Sequence, residues 1–204
     1  MSTIIQLLVS GIAMGFIYCL VAVEYTLIWN ATGLINFAHE RFIVLGAFCF
    51  GGFAVNYFAD NYLVAIALTM VFMAVFGLVV AFIVINPLRN MPSTIFAVMG
   101  MLMTGYIMRE GIRIIWGPSP FTVPGFISGT VHLFDAVLPK VYIIIIIISV
   151  LLLIVQKIFM TKTKTGKAVR CVAQDKEAAA LMGIDVRRNI AITVAISSMI
   201  CGLI

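Results

Sequence analysis

Charge is what this chain has least of. Charged residues make up 10% of its 204 positions, 13 Lys and Arg against 8 Asp and Glu, where a soluble domain carries about 25%. The four cysteines, Cys19, Cys49, Cys171 and Cys201, show no spacing that suggests a disulfide framework or a zinc site. The two histidines, His39 and His132, are too far apart to suggest a shared role, and each reads as a hydrogen-bonding residue rather than a ligand. No nucleophile–base or metal-ligand constellation stands out, so the expectation is no catalytic residue, no metal and no enzyme. A P-loop is missing too. The only Gly-Lys pair, Gly166-Lys167, lacks both the preceding Gly and the following Ser or Thr. The N-terminus has no basic region and no evident cleavage site, so Ile4 onward reads as a retained span rather than a signal peptide.

What is present is apolar. Hydrophobic residues make up 63% of the chain and the mean hydropathy is +1.19, which no soluble domain of this size needs. The apolar runs are long and unbroken rather than alternating, so helices, not barrel strands, satisfy the backbone in lipid. The net charge of +5 is no nucleic-acid signal. Basic residues concentrate between Lys157 and Arg188 and are absent from long stretches elsewhere, a topological bias.

Taken in order, spans are expected at 4–28, 42–58, 62–85, 94–115 and 141–158, giving an all-α polytopic bundle of about five to six spans. Glu24 lies near the end of the first span, either at the interface or facing the bundle interior. Asn30 to Arg41 then breaks the apolar pattern with Gly33, Asn36, His39, Glu40 and Arg41. Two readings stand open: a broken or re-entrant helix lining a cavity, or a short hydrated loop. The sequon Asn30-Ala31-Thr32 is too weak a match to use. The glycine-rich 42–58 run suits close central packing. Asn86 to Pro92 reads as a turn. Thr94 to Met108 can cross only by continuing into Arg109, Glu110 and Arg113, which can pair locally. Such charges cost about 2.5–3.5 kcal/mol each at mid-bilayer, so the interface is their expected place. The proline-rich 116–140 stretch lacks basic residues before Lys140 and reads as an external loop. The basic 159–188 stretch marks the cytoplasmic side. Five crossings before it place the N-terminus outside, whereas one re-entrant segment would place it inside; with no Lys or Arg to hold it in the cytoplasm, the outside is favoured. The apolar run 189–204 is expected to be an incomplete last span of a single 1–204 domain, and the chain a fragment.

Within the basic stretch, Asp175 to Gly183 reads as a short isolated helix. Asp175 can cap the first turn and Glu177 suits the positive end of the dipole. Three alanines favour the helix, and Gly183 can take the left-handed conformation that stops it. Ala178, Leu181 and Met182 share one face, a small apolar knob that suits a partner.

Gly166-Lys167-Ala168-Val169-Arg170-Cys171-Val172-Ala173-Gln174-Asp175-Lys176-Glu177-Ala178-Ala179, followed by Gly183-Ile184-Asp185, resembles the coupling loop of ABC importer permeases. It is most similar to the branched-chain amino-acid permeases of the high-affinity leucine uptake type. Thr32-Gly33-Leu34-Ile35-Asn36-Phe37-Ala38-His39 resembles the Gly-Val-Ile-Asn-Phe-Ala-His segment of that family. One departure is plain: the family continues His-Gly-Glu-Phe, whereas this chain has His39-Glu40-Arg41-Phe42. Glu24 also stands where a small uncharged residue is commoner.

The resemblance implies a permease subunit of an ATP-driven importer for branched-chain or other apolar amino acids, in a bacterial inner membrane. It implies two ATP-binding subunits, which hold the ATP and Mg, a second permease subunit and an external substrate-binding protein. Membrane lipid is the remaining partner and nucleic acid is not one; this chain itself binds no cofactor. ATPase coupling would fall to Gly166, Arg170, Asp175, Lys176, Glu177, Ala178, Ala179, Leu181, Met182 and Gly183. Glu24, Asn36, His39 and Glu40 are the candidates for the translocation pathway. The alternatives are a secondary transporter or channel using Glu24, His39, Glu40, Arg109 and Glu110 as a relay, or a structural anchor.

Overall fold

The computed structural model describes residues 2–56, 61–117, 119, 129–133 and 136–204. Its backbone is almost entirely helical. α1 (Ser2–Thr32) is followed by α2 (His39–Asn56) and α3 (Tyr62–Val80), which passes through a π turn (Ala81–Ile85) into α4 (Asn86–Arg89). α5 (Thr94–Trp116) comes next. An antiparallel hairpin, β1 (Thr130–Leu133) and β2 (Ala136–Pro139), precedes α6 (Lys140–Lys162). α7 (Lys164–Gln174), α8 (Lys176–Leu181) and α9 (Val186–Cys201) complete the chain. Among the described residues, four helices are long and apolar enough to cross a membrane: Thr3–Thr32, Tyr62–Arg89, Thr94–Trp116 and Lys140–Lys162.

The elements differ from the expected spans at several boundaries. α1 is 31 residues, or roughly 46 Å, well beyond a hydrocarbon core of about 30 Å. The turn expected at 86–92 starts only after Arg89, because a π turn before Pro87 relieves the clash between a proline ring and the carbonyl one turn back. The basic stretch 159–188 is helix rather than loop for most of its length, with α7 burying Gly166, Val169 and Val172. The hairpin was not foreseen. Much of the expected external loop 116–140, and residues 57–58 of the second span, lie outside the described residues.

α9 forms the centre, packed against α3 and α1. Small residues make that possible. A Cβ on Gly46 would come within 2.7 Å of the Gly202 Cα, and one on Gly202 within 2.8 Å of the Met73 side chain. Ile190, Val194 and Cys201 of α9 join Met73, Phe42 and Ile85 in the buried core. α1 and α6 run side by side in the same direction. The Thr32 end of α1 therefore lies on the side of the basic α7–α8 segment, and its Ser2 end on the side of the hairpin.

The break between α1 and α2 is a half-buried strip of bends and a turn packed on the bundle. Gly33 turns the chain with φ +75°. Leu34, Asn36 and Ala38 are then buried while Ile35 and Phe37 are exposed, and the segment closes in a turn in which the His39 N–H donates to the Asn36 carbonyl at 3.2 Å. At its far end the His39 ring packs edge-on against Tyr25, centroids 5.7 Å apart. Tyr25 lies about two turns before the end of α1, so the strip folds back along α1 and α2 starts inside the bundle.

Candidate functional site

Each candidate residue takes its place from a local rule. The α8 helix is capped as its sequence demands: Asp175 Oδ1 accepts hydrogen bonds from the backbone N–H of Glu177 (2.9 Å) and Ala178 (3.0 Å). Gly183 ends it with φ +80°, its N–H donating to the Ala180 carbonyl while Ile184 N–H reaches back to Ala179. Ala179 faces inward. On the outer face Leu181 is 89% exposed and Met182 82%, and Glu177, Ala178 and Arg170 are exposed as well. Gly166 has a different role from the exposed residues. It sits at the α6–α7 corner, where a Cβ would collide with the Phe159 carbonyl and come within 2.6 Å of the Met160 Cα.

Lys176 ties this helix to the membrane helices. Its Nζ donates to the Thr32 carbonyl at 2.7 Å, joining the last turn of α1 to the first turn of α8. That carbonyl belongs to the negative end of the helix dipole, where a cation is favoured. Gly33 makes room for the ammonium, since a Cβ there would stand 2.8 Å from Nζ. The two stretches on which the family resemblance rests are thus in direct contact.

Three of the four pathway candidates are brought together near the junction of α1, α2 and α9. Glu24 is fully buried, and its carboxylate accepts a hydrogen bond from Ser197 of α9. Gln156 of α6 flanks it. His39 Nε2 lies 3.8 Å from Cys201 Sγ, and Asn36 Oδ1 accepts from the Ala38 N–H at 3.0 Å. Among the described residues, Asn36 Nδ2 is buried without a hydrogen-bond partner, while the His39 ring also makes a backbone hydrogen bond to Val21. Glu40 stands apart, exposed and paired with Arg41 at 2.7 Å. Arg113 and Glu110 pair at 3.2 Å as their spacing predicts. Ser197 and Gln156 were missed by sequence reasoning; their only signal was polarity inside an apolar run.

A helical bundle with several apolar helices long enough to cross and a buried polar junction defines a multi-pass membrane protein. Residues 7–204 match the family described as branched-chain amino acid transport system, permease component. The chain belongs to that family, and is accordingly a transport subunit rather than an enzyme.

Among named relatives, it is 27% identical to the high-affinity branched-chain amino acid transport system permease protein LivH of Salmonella typhimurium, over 95% of this chain and 67% of the relative. It is 26% identical to LivH of Escherichia coli K12 over the same shares, and 25% to BraD of Pseudomonas aeruginosa over 98% and 68%. No solved structure gives a significant match.

Proposed function

We propose that this chain is the permease subunit of a bacterial inner-membrane importer for branched-chain or other apolar amino acids, driven by ATP hydrolysed on partner subunits. The observation that carries the coupling part is the geometry of α8. A capped helix presents Leu181 and Met182 to solvent on one side and is bonded through Lys176 to α1 on the other. A groove on an ATP-binding subunit would take the apolar knob. Movement of that subunit would then reach the end of α1 and the strip 33–38 through Lys176. The basic α7–α8 segment marks this side as cytoplasmic. Two ATP-binding subunits with their ATP and Mg, a second permease subunit and an external binding protein complete the assembly, and this chain itself binds no cofactor. The buried polar junction of Glu24, Asn36 and His39, with donors and acceptors left over, supports a hydrated pathway beside the strip. Glu40, exposed at the start of α2, belongs to that pathway's margin. Family membership favours this reading over a secondary carrier.

The test is to place Asp at Leu181 and Met182 in the reconstituted importer. Co-purification of the ATP-binding subunits and ATP-dependent uptake should both fall at least tenfold while the variant still inserts. Normal uptake with the ATPases retained would reject the docking role.

A further inference from the structure

The departure at His39-Glu40-Arg41 acquires a place in the fold. α2 and α5 run alongside each other: Gly105 faces Ala38, with a Cβ there standing 3.5 Å from the Ala38 Cα, and Gly52 faces the Trp116 indole. Between those two contacts, about 17 Å apart along α5, lies a hollow of about 360 Å³ lined by Arg41, Val44, Phe48, Arg109, Ile112 and Arg113. Its charges are paired but not balanced. Among the described residues, Glu40 meets Arg41 at 2.7 Å, and Glu110 meets both Arg113 (3.2 Å) and Arg109 (3.8 Å), so three guanidiniums share two carboxylates there. The side chains of Arg109 and Arg113 are half exposed. Arg113 lies about one turn and Arg109 about two turns before the end of α5 at Trp116, the interfacial place expected of such charges, where the face can meet water or a polar solute.

We propose that this groove binds a small solute carrying a carboxylate on an apolar body. Arg109, held at 3.8 Å from a carboxylate that Arg113 already engages, supplies the uncompensated charge, and a guanidinium receives a carboxylate in bidentate fashion. Val44, Phe48 and Ile112 form the apolar wall against which the body of the solute lies. Arg41 closes the site from α2, which gives the altered motif a function in recognition. This rests on the transport reading above and names where in the chain the cargo is held.

The experiment is equilibrium binding of labelled L-leucine to the full permease in phosphatidylcholine nanodiscs, with neither ATPases nor binding protein. Saturable binding is expected, displaced by 4-methylpentanoate, which keeps the carboxylate, and not by 3-methylbutylamine, which lacks it. Arg109→Gln should weaken binding at least tenfold and Arg109→Lys less. Glu110 keeps Arg113 in the Gln variant, so the fold is not left with an unpaired carboxylate. Val44→Trp, which keeps every arginine, should block binding by filling the groove. Absence of saturable binding, displacement by the amine, or unchanged binding by Arg109→Gln overturns the proposal. A lipid phosphate has the same anionic chemistry. Phosphatidylglycerol that abolishes leucine binding, and is retained by the wild type but not by Arg109→Gln, overturns the small-solute source. Failure of the transport reading shows separately, as absent ATP-dependent uptake by the wild-type complex.

Discussion

Lys176 is the residue on which the two halves of the proposed mechanism meet. Its ammonium is partly withdrawn from water and lies near Arg89, and burial first, then that neighbouring charge, lower its proton affinity below the ordinary lysine value. Lys176→Met should leave the ATP-binding subunits attached yet lower the ratio of solute moved to ATP hydrolysed several-fold, measured in proteoliposomes. Lys176→Arg should restore most of it, because a guanidinium can also donate to the Thr32 carbonyl. An unchanged ratio in the Met variant would remove the strut from the mechanism. The sign of the pH effect follows. As pH rises through the window below about 10.4, Lys176 deprotonates in the folded chain before it would in the unfolded one. Coupling should fall there in the wild type and not in Lys176→Arg. The same titration favours the folded state as pH rises, because the unfolded chain then binds more protons. A loss of coupling in that window is therefore not unfolding driven by this group.

At the scale of elements, two glycines near α8 test different things. Gly183 holds φ +80° with open space around its α-carbon. Gly183→Ala therefore meets no clash and costs roughly 1–2 kcal/mol of local left-handed strain, expected as a small drop in melting temperature with α8 slightly displaced. Gly166 has ordinary helical geometry but no room, with the α6 backbone against its α-carbon. Gly166→Ala should cost about 1–3 kcal/mol by overpacking and detach α7 from α6, visible as faster amide exchange over 164–174. The reverse order of the two effects would mean that the α6–α7 corner can relax. The break between α1 and α2 belongs to this scale as well. Polarity at Asn36 and His39 signalled an interruption in the sequence. The choice between a loop and a packed strip depended on what lay beside it, and Cys201, which lies against His39, comes from a helix that sequence order does not place there.

At the scale of the whole molecule, the directions of the helices set the sidedness. The Thr32 end of α1 shares a side with α7 and α8, and the hairpin lies at the other end. A cysteine introduced at Lys164 should be labelled only from the cytoplasm, and one at Lys140 only from outside, in right-side-out vesicles. Labelling of both from one side would overturn the arrangement. The centre of the bundle is α9, whose sequence gave little warning of that role. It is short and carries Thr193, Ser197 and Ser198, all buried. Ser198 packs against Gly77, and Cys201 and Gly202 at the end of the helix pack against Gly46, and this permits a polar helix to occupy the middle of an apolar bundle.

The sequence by itself determined that this is a helical membrane protein, where most of its spans fall, and that Asp175 to Gly183 is a capped helix with an exposed apolar knob. Those features depend on composition, run length and short-range backbone hydrogen bonding, all of which are local. Only the tertiary structure decided that Glu24 is buried against Ser197, that Lys176 grips the end of α1, and that Arg41 joins Arg109 and Arg113 around one groove. Each of those is a contact between residues far apart in the chain. Where such a charge can settle depends on which helices lie next to each other, and that is set by the packing of small residues across the bundle rather than by any neighbouring stretch of sequence.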